Sequence, residues 1–360
     1  MTKRVTGWSR TGLSLLTGLL ALSAGVGALA QDATPAPVAR LEAPPAVPQS
    51  DEATRIAVVP GGPHPYFAPM QGALAEAQTA FGLGEGTFKA PERWDLNAQN
   101  ELVETLVAQG YNGFALFPGD ANGSNGTIEE LMGEDIPTAL VGGCTTQPTM
   151  AQFCIATDVA NSAYLGTKAL IEAMGGTGTI AHFTGFLVDP NTRLRMDAVE
   201  RAVAETNGQV TLLQHLADVD SQEEADNKIN ALLAASKDEI DGIVTTAYVP
   251  SVVAATALRN LGDKRIKMVG IDDDPIVLQA ITDGFLVGSM AQNPYGQAYV
   301  AAFALDRLRH GCQMNPESAF LIDSGTFLID AAKVGTYQAD LKTLTGEIQT
   351  GFEGQYLICQ

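Results

Sequence analysis

From Arg55 to Ile329, short apolar runs alternate with segments of helical spacing. No other feature limits the possible folds so tightly. Runs such as Arg55–Pro60, Gly113–Pro118 and Ile266–Ile271 are apolar on both faces, as strands covered from two sides must be. The stretches between them, Asn97–Gln109 and Ser221–Ala235 among them, repeat their apolar residues with helical spacing. Gly110, Asn207-Gly208 and Gly262 stand where helices should stop. Strand–helix alternation of this kind gives an α/β class with parallel sheets and helices on both faces. About 310 residues remain from Ala53 onward, more than one hydrophobic core usually holds. Two similar Rossmann-like lobes of about five strands each are the economical architecture. Phe320–Ile329 reads as a strand pair or one long strand, and the pattern fades from Ala331 to Gln360.

The chain opens with Lys3, Arg4 and Arg10, followed by an apolar run from Leu13 to Leu29 that ends Ala28-Leu-Ala30. Basic start, apolar middle and small-residue end describe a secretory signal cut after Ala30, which places the mature product in the periplasm. No later stretch approaches the ~18 apolar residues of a membrane span. Gln31–Ser50 is rich in alanine and proline and predicts a flexible, partly extended leader reaching to residue 52. Removing residues 1–30 takes away three bases and no acids, moving the net charge from −20 to −23. Nucleic acid, which needs basic contacts to phosphate, is therefore not an expected partner. In an exported chain, the even set Cys144, Cys154, Cys312 and Cys359 suggests disulfides. Cys144 with Cys154 would close the loop between two neighbouring strands. Cys312 with Cys359 would pin the weakly patterned tail to the helix ending at Arg309.

Catalytic and metal signatures are missing from the sequence. It holds no G-x-S-x-G turn, G-x-x-x-x-G-K-[ST] loop or H-E-x-x-H helix, and the cysteine spacings do not suit zinc. No cofactor, metal or enzymatic activity is expected. Of the four histidines, His182 and His215 fall in strands and His310 ends a helix. Only His64, in a glycine–proline loop after the first strand, suits a site.

Ligands of open α/β sheets sit outside the carboxyl ends of the strands. At one such end stands Asp272-Asp-Asp-Pro275. Asp273 or Asp274 would cap the next helix, whereas Asp272 lies nearer the strand and could accept hydrogen bonds from a donor-rich ligand. Solvation of a turn is the alternative. Trp94-Asp95 follows the second strand and offers a flat apolar face beside a carboxylate, as a sugar requires. A tryptophan packed on the lobe surface would look the same. Asp189-Pro-Asn191 could line a site or merely cap a helix.

The order of these pieces carries a resemblance. Arg55-Ile-Ala-Val-Val-Pro60 leads to His64-Pro-Tyr-Phe67. Later come Asn191-Thr-Arg-Leu-Arg195 at a helix start, Val269-Gly-Ile-Asp272 and Met290-Ala-Gln-Asn-Pro294. From about Arg55 to Leu328 the chain resembles the ribose/galactose-type periplasmic solute-binding proteins, the receptors of sugar ABC importers. The resemblance implies two lobes joined by three hinge crossings, near Thr157-Asp158, Gln292-Asn293 and Ser324-Gly325. One lobe would take residues 53–157 and 293–324, the other 158–292 and 325–345, with 346–360 as a tail. It also implies a pocket of His64, Tyr66 and Phe67 from one lobe and Arg195 and Asp272 from the other, with Gln292 at a crossing. The residues themselves add Trp94, Asp95, Asp189, Asn191 and Tyr248. Four positions depart from the pentose-binding pattern: Phe117 and Ala247 replace asparagines, and Gly142-Gly143 replaces an Asp-Arg pair. The expected ligand is a neutral sugar or polyol, the expected partner an ABC permease, and the expected state a monomer. A receptor for a furanosyl or sugar signal, an exported hydrolase and a repressor core are the competing functions. The export signal and the absence of DNA-binding helices speak against the last.

Overall fold

The computed structural model describes residues 39–359. The signal, its cleavage after Ala30 and the first residues of the leader lie outside that range. The first half of the chain runs β1 (Arg55–Val59), α1 (Ala68–Phe81), β2 (Glu85–Phe88), α2 (Leu96–Ala108), β3 (Gly113–Leu116), α3 (Ser124–Gly133), β4 (Thr138–Val141) and β5 (Cys154–Ala156). It then passes into α4 (Val159–Ala173), β6 (Gly178–Phe183), α5 (Pro190–Ala204), β7 (Val210–Leu216), α6 (Gln222–Ser236), β8 (Gly242–Thr245), α7 (Tyr248–Leu261), β9 (Lys267–Ile271), α8 (Pro275–Thr282) and β10 (Gly288–Ala291). The remainder is α9 (Pro294–Arg309), β11 (Gln313–Met314), β12 (Leu321–Asp323), β13 (Phe327–Ile329), α10 (Tyr337–Gln355) and β14 (Leu357–Ile358).

Two six-stranded sheets result, ordered β12-β5-β4-β3-β1-β2 and β13-β10-β9-β8-β6-β7, where about five strands each were expected. Within these two sheets all pairs are parallel except β10 with β13. Phe320–Ile329 is thus two strands, and the chain changes sheet between them. It changes sheet twice more, after β5 and after β10. The crossings are held together: Asn293 Nδ2 donates to the Ser324 carbonyl and to Thr345 Oγ1, each at 3.1 Å, and Gln297 Nε2 donates to Ser324 Oγ at 3.0 Å.

The leader departs from expectation. Residues 39–50 are fastened to the first lobe rather than flexible. Prolines deny this segment the N–H groups of a strand, and side-chain amides grip it instead. Gln147 exchanges hydrogen bonds with Ala39 and Leu41, and Gln313 does the same with both backbone groups of Val47. Gln152 Nε2 reaches the Pro45 carbonyl, the Arg40 guanidinium lies over the Phe320 ring, and Val47 is buried.

The tail departs as well. Helix α10 runs unbroken through residue 345, so no boundary separates 325–345 from a tail. It starts against the second lobe, where Tyr337 is buried with Ala291 and Ile329 and donates to Asp273 Oδ2. It ends against the first, where Phe352 packs on Phe153, β14 pairs with β11, and Cys359 is bonded to Cys312. Between the two, Leu344 sits so close to Gly325 that a Cβ there would come within 2.2 Å of it. The second disulfide joins Cys144 to Cys154.

Candidate ligand-binding site

In each sheet the strand order reverses next to the first strand laid down, β1 in one and β6 in the other. Crevices open at such points, outside the carboxyl ends of the strands. The two crevices face each other across a cavity of about 270 Å³.

On the first lobe the loop after β1 forms a short 3-10 turn, Pro65–Phe67, capped by His64. Tyr66 N–H donates to His64 Nδ1 at 3.2 Å, so the neutral imidazole carries its proton on Nε2, which is buried without a hydrogen-bond partner. Phe67, Trp94 and Phe117 make the wall. Phe67 meets Trp94 nearly parallel at 6.4 Å between ring centroids and Phe117 edge-on at 5.2 Å. The Trp94 indole N–H is used by the Gly119 carbonyl, and the Tyr66 hydroxyl by Gln297 Oε1. The wall therefore offers mostly ring carbon.

Phe117 also accounts for the diglycine after β4. A Cβ on Gly142 would stand 2.8 Å from the Phe117 ring, and one on Gly143 would stand 3.2 Å from it. Gly142 has a φ of 72° besides. The phenyl ring occupies the space that side chains at 142 and 143 would fill, so these departures from the pentose-binding pattern are one coupled change.

The second lobe contributes polar groups. Asp189 caps α5 through the Asn191 N–H and also faces the cavity. Arg195, one turn on, is 7% exposed; its Nη1 is 3.9 Å from Asp189 Oδ2 and its Nε has no hydrogen-bond partner. Burial pushes the Asp189 carboxyl up, and Arg195 opposes that rise.

Asp272 adopts a left-handed φ of 67°, a strained conformation for a residue with a side chain. Strand β10 holds it there. Its N–H donates to the Met290 carbonyl, its carbonyl accepts from Ser289 Oγ, and its Oδ1 accepts from Gln292 Nε2 at 2.9 Å. Burial raises the Asp272 carboxyl to about 7, against the lowering effect of the Gln292 hydrogen bond. Asp274, not Asp273, caps α8, and its Oδ2 takes the Tyr248 hydroxyl.

One expected residue does not belong. Asp95 caps α2 through the Ala98 N–H and lies off the cavity, because the turn that aims Trp94 inward sends the next side chain to the helix end. The sequence reading missed Phe186, Val188 and Asp220, which follow β6 and β7 and line the cavity. Asp220 was findable by the strand-end rule that found Asp272.

The lobes touch across the cleft. Asn191 Nδ2 donates to the Gly142 carbonyl at 3.1 Å, His64 meets the Tyr248 ring edge-on at 5.8 Å, and His64 Nε2 is 3.6 Å from Asp220 Oδ2 without a hydrogen bond.

A sequence model of the periplasmic binding protein domain matches residues 56–311. The xylitol-binding protein of Mycolicibacterium smegmatis is 23% identical over 232 residues, covering 64% of this chain and 66% of its own length. The D-apiose import binding protein of Paraburkholderia graminis is 24% identical over 228 residues, covering 62% and 70% respectively. Among solved structures, an ABC transporter solute-binding protein from Burkholderia graminis in complex with D-arabinose superposes with a TM-score of 0.72 at 19% identity, over 80% of this chain and 99% of that one. Another, from Actinobacillus succinogenes with bound D-allose, gives 0.71 at 20% identity over 79% and 100%. The long match over the two lobes, together with their shared fold, settles the family: this chain belongs to the periplasmic binding proteins.

Proposed function

We propose that the chain is an extracytoplasmic solute-binding protein that captures a single sugar or polyol between its lobes and hands it to an ABC importer. The cleft's unequal walls carry this reading. Asp189, Arg195 and Asp272 of the second lobe line the cleft with charged groups, while the opposite wall is aromatic. Sugars present both kinds of surface, since their C–H faces pack on rings and their hydroxyls both donate and accept. The volume, just below the ~300–1,000 Å³ usual for ligand pockets, suits one ring or an open-chain polyol rather than an oligosaccharide.

In this reading Arg195 and His64 donate to ligand oxygens, and Asp189, Asp272 and the Gln292 carbonyl accept from hydroxyls. Asn191 and Tyr248 shape the polar edge, and Tyr66, Phe67 and Trp94 contact the apolar face. Ligand bound to both lobes favours the closed form over the open one, and that difference in affinity drives closure. Delivery to a permease, a periplasmic location after cleavage at Ala30, a monomeric state and binding without turnover belong to the same proposal. A thermal-shift panel of xylitol, D-apiose, D-arabinose, D-allose, D-tagatose and D-ribose, followed by calorimetry on the best, tests it. At least one should raise the melting temperature and be recovered unchanged. A flat response across polyols and sugars, or conversion of the ligand, overturns the reading.

A further inference from the structure

A second cavity, of about 430 Å³, adjoins the cleft on its hinge side. The two share Tyr66, Tyr248, Asp272 and Gln292 as a wall. Arg195 Nε and His64 Nε2 beside the cleft are buried without a partner, whereas around this groove the tyrosine hydroxyls are all engaged by the protein. Tyr66 donates to Gln297, Tyr248 to Asp274, Tyr295 to Glu76 and Tyr337 to Asp273, at 2.7–2.9 Å. The Lys342 ammonium is likewise held by Glu76 at 3.0 Å. What the tyrosines leave facing the groove is ring carbon, joined by the rings of Pro69, Pro275 and Pro294 and the side chains of Ile329 and Leu341, with Glu76, Asp273 and Gln338 as its polar edge.

We propose that this groove is a second small-molecule site that takes a single apolar ring, either free or carried as a substituent on the molecule in the cleft. A polyol would have to compete with the protein for the four tyrosine hydroxyls, which are already engaged. An aromatic or cycloaliphatic ring exchanges water for tyrosine and proline carbon, and the volume falls within the ~300–1,000 Å³ range of small-molecule sites. Only the substituent form rests on the cleft being a sugar site.

The test uses the full mature chain and 4-fluorophenol as the ring probe, followed by fluorine NMR. Gly72 lines the groove on α1, and a Cβ added there meets nothing within 4 Å. Gly72→Trp therefore fills the groove without disturbing the helix core. We expect 4-fluorophenol to bind, and Gly72→Trp to weaken it by about tenfold or more. Leu341→Glu, from the opposite wall, should do the same by placing a charge in the groove. Both variants should keep the unmodified circular dichroism and the unmodified response to the sugar panel. Absence of probe binding, or binding indifferent to both variants, overturns the proposal. The 4-fluorophenyl glycosides of D-arabinose and D-allose then distinguish the two sources. A substituent site makes a glycoside bind more tightly than its parent sugar, a gain that Gly72→Trp removes; a free-ring site gives no such gain. A sugar panel without any response would sink the reading of the cleft and leave the 4-fluorophenol result standing.

Discussion

At the switch point of the first sheet, the loops after β1, β2 and β3 deliver Phe67, Trp94 and Phe117. In the second, helix α5 after β6 delivers Arg195 and the end of β9 delivers Asp272. Topology explains why both sets meet in one cavity, but not why one set is aromatic and the other charged. The aromatic trio is complete without ligand, its rings packed on one another and its one N–H already used. Arg195 is incomplete, buried with an unpartnered Nε. Under the proposed function, the first wall would supply mainly shape and the second most of the discrimination, since an unmatched polar group penalises the wrong ligand.

The largest effect expected from this contrast is on Arg195. Arg195→Ala should weaken binding of the best panel sugar by about 100-fold in calorimetry, because charge-assisted hydrogen bonds are lost in a dry site. An unchanged affinity would show that the polar wall does not discriminate.

Asp272 comes next, through pH. Its folded-state carboxyl, at about 7, lies above the unfolded value of ~3.9. Between those values the folded protein holds a proton that the unfolded chain has lost. The contribution to stability is then complete below about pH 4 and disappears as pH rises toward 7, at no more than about 1.4 kcal/mol per pH unit. Urea unfolding of unliganded protein at pH 4.5–7.5 (about that interval) should show this slope, and Asp272→Asn should flatten it. Equal slopes in the two proteins would mean that the carboxylate is ionised throughout.

Trp94→Ala should cost about fivefold in affinity, as the loss of one partly exposed stacking surface would. A loss matching that of Arg195→Ala would erase the distinction between the walls. Smallest is Asp95→Ala, which should leave affinity unchanged and lower stability by about 1 kcal/mol through the lost cap.

Trp94 and Asp95 also mark how far the sequence could be read. Alternating strands and helices were plain because apolar runs such as Ile266–Ile271 and glycine stops such as Gly262 are local signals. Cleft residues were legible where they followed a strand directly, as Asp272 does, or stood in the loop after one, as His64 does. Facing direction was not legible: adjacent side chains leave a turn on different sides, and the φ of Asp272 or the cap made by Asp95 is fixed only by the fold. Docking of residues 39–50 was hidden for a related reason. Its partners, Gln147, Gln152 and Gln313, are distant in sequence and leave no period behind. Helix α10 was missed because its apolar residues serve two lobes in turn and form no single stripe.

That divided allegiance makes α10 a lever. Thr345, bonded to Asn293 between two crossings, sits at the fulcrum. Beyond it the long arm is immobilised on the first lobe by Phe352, β14 and Cys359. The short arm, the eight residues back to Tyr337, is about 12 Å long, so a 10° rotation of the second lobe sweeps only about 2 Å at its tip. Such a travel would nonetheless part the 2.9 Å bond between Tyr337 and Asp273, so a rotation of that size would cost this hydrogen bond.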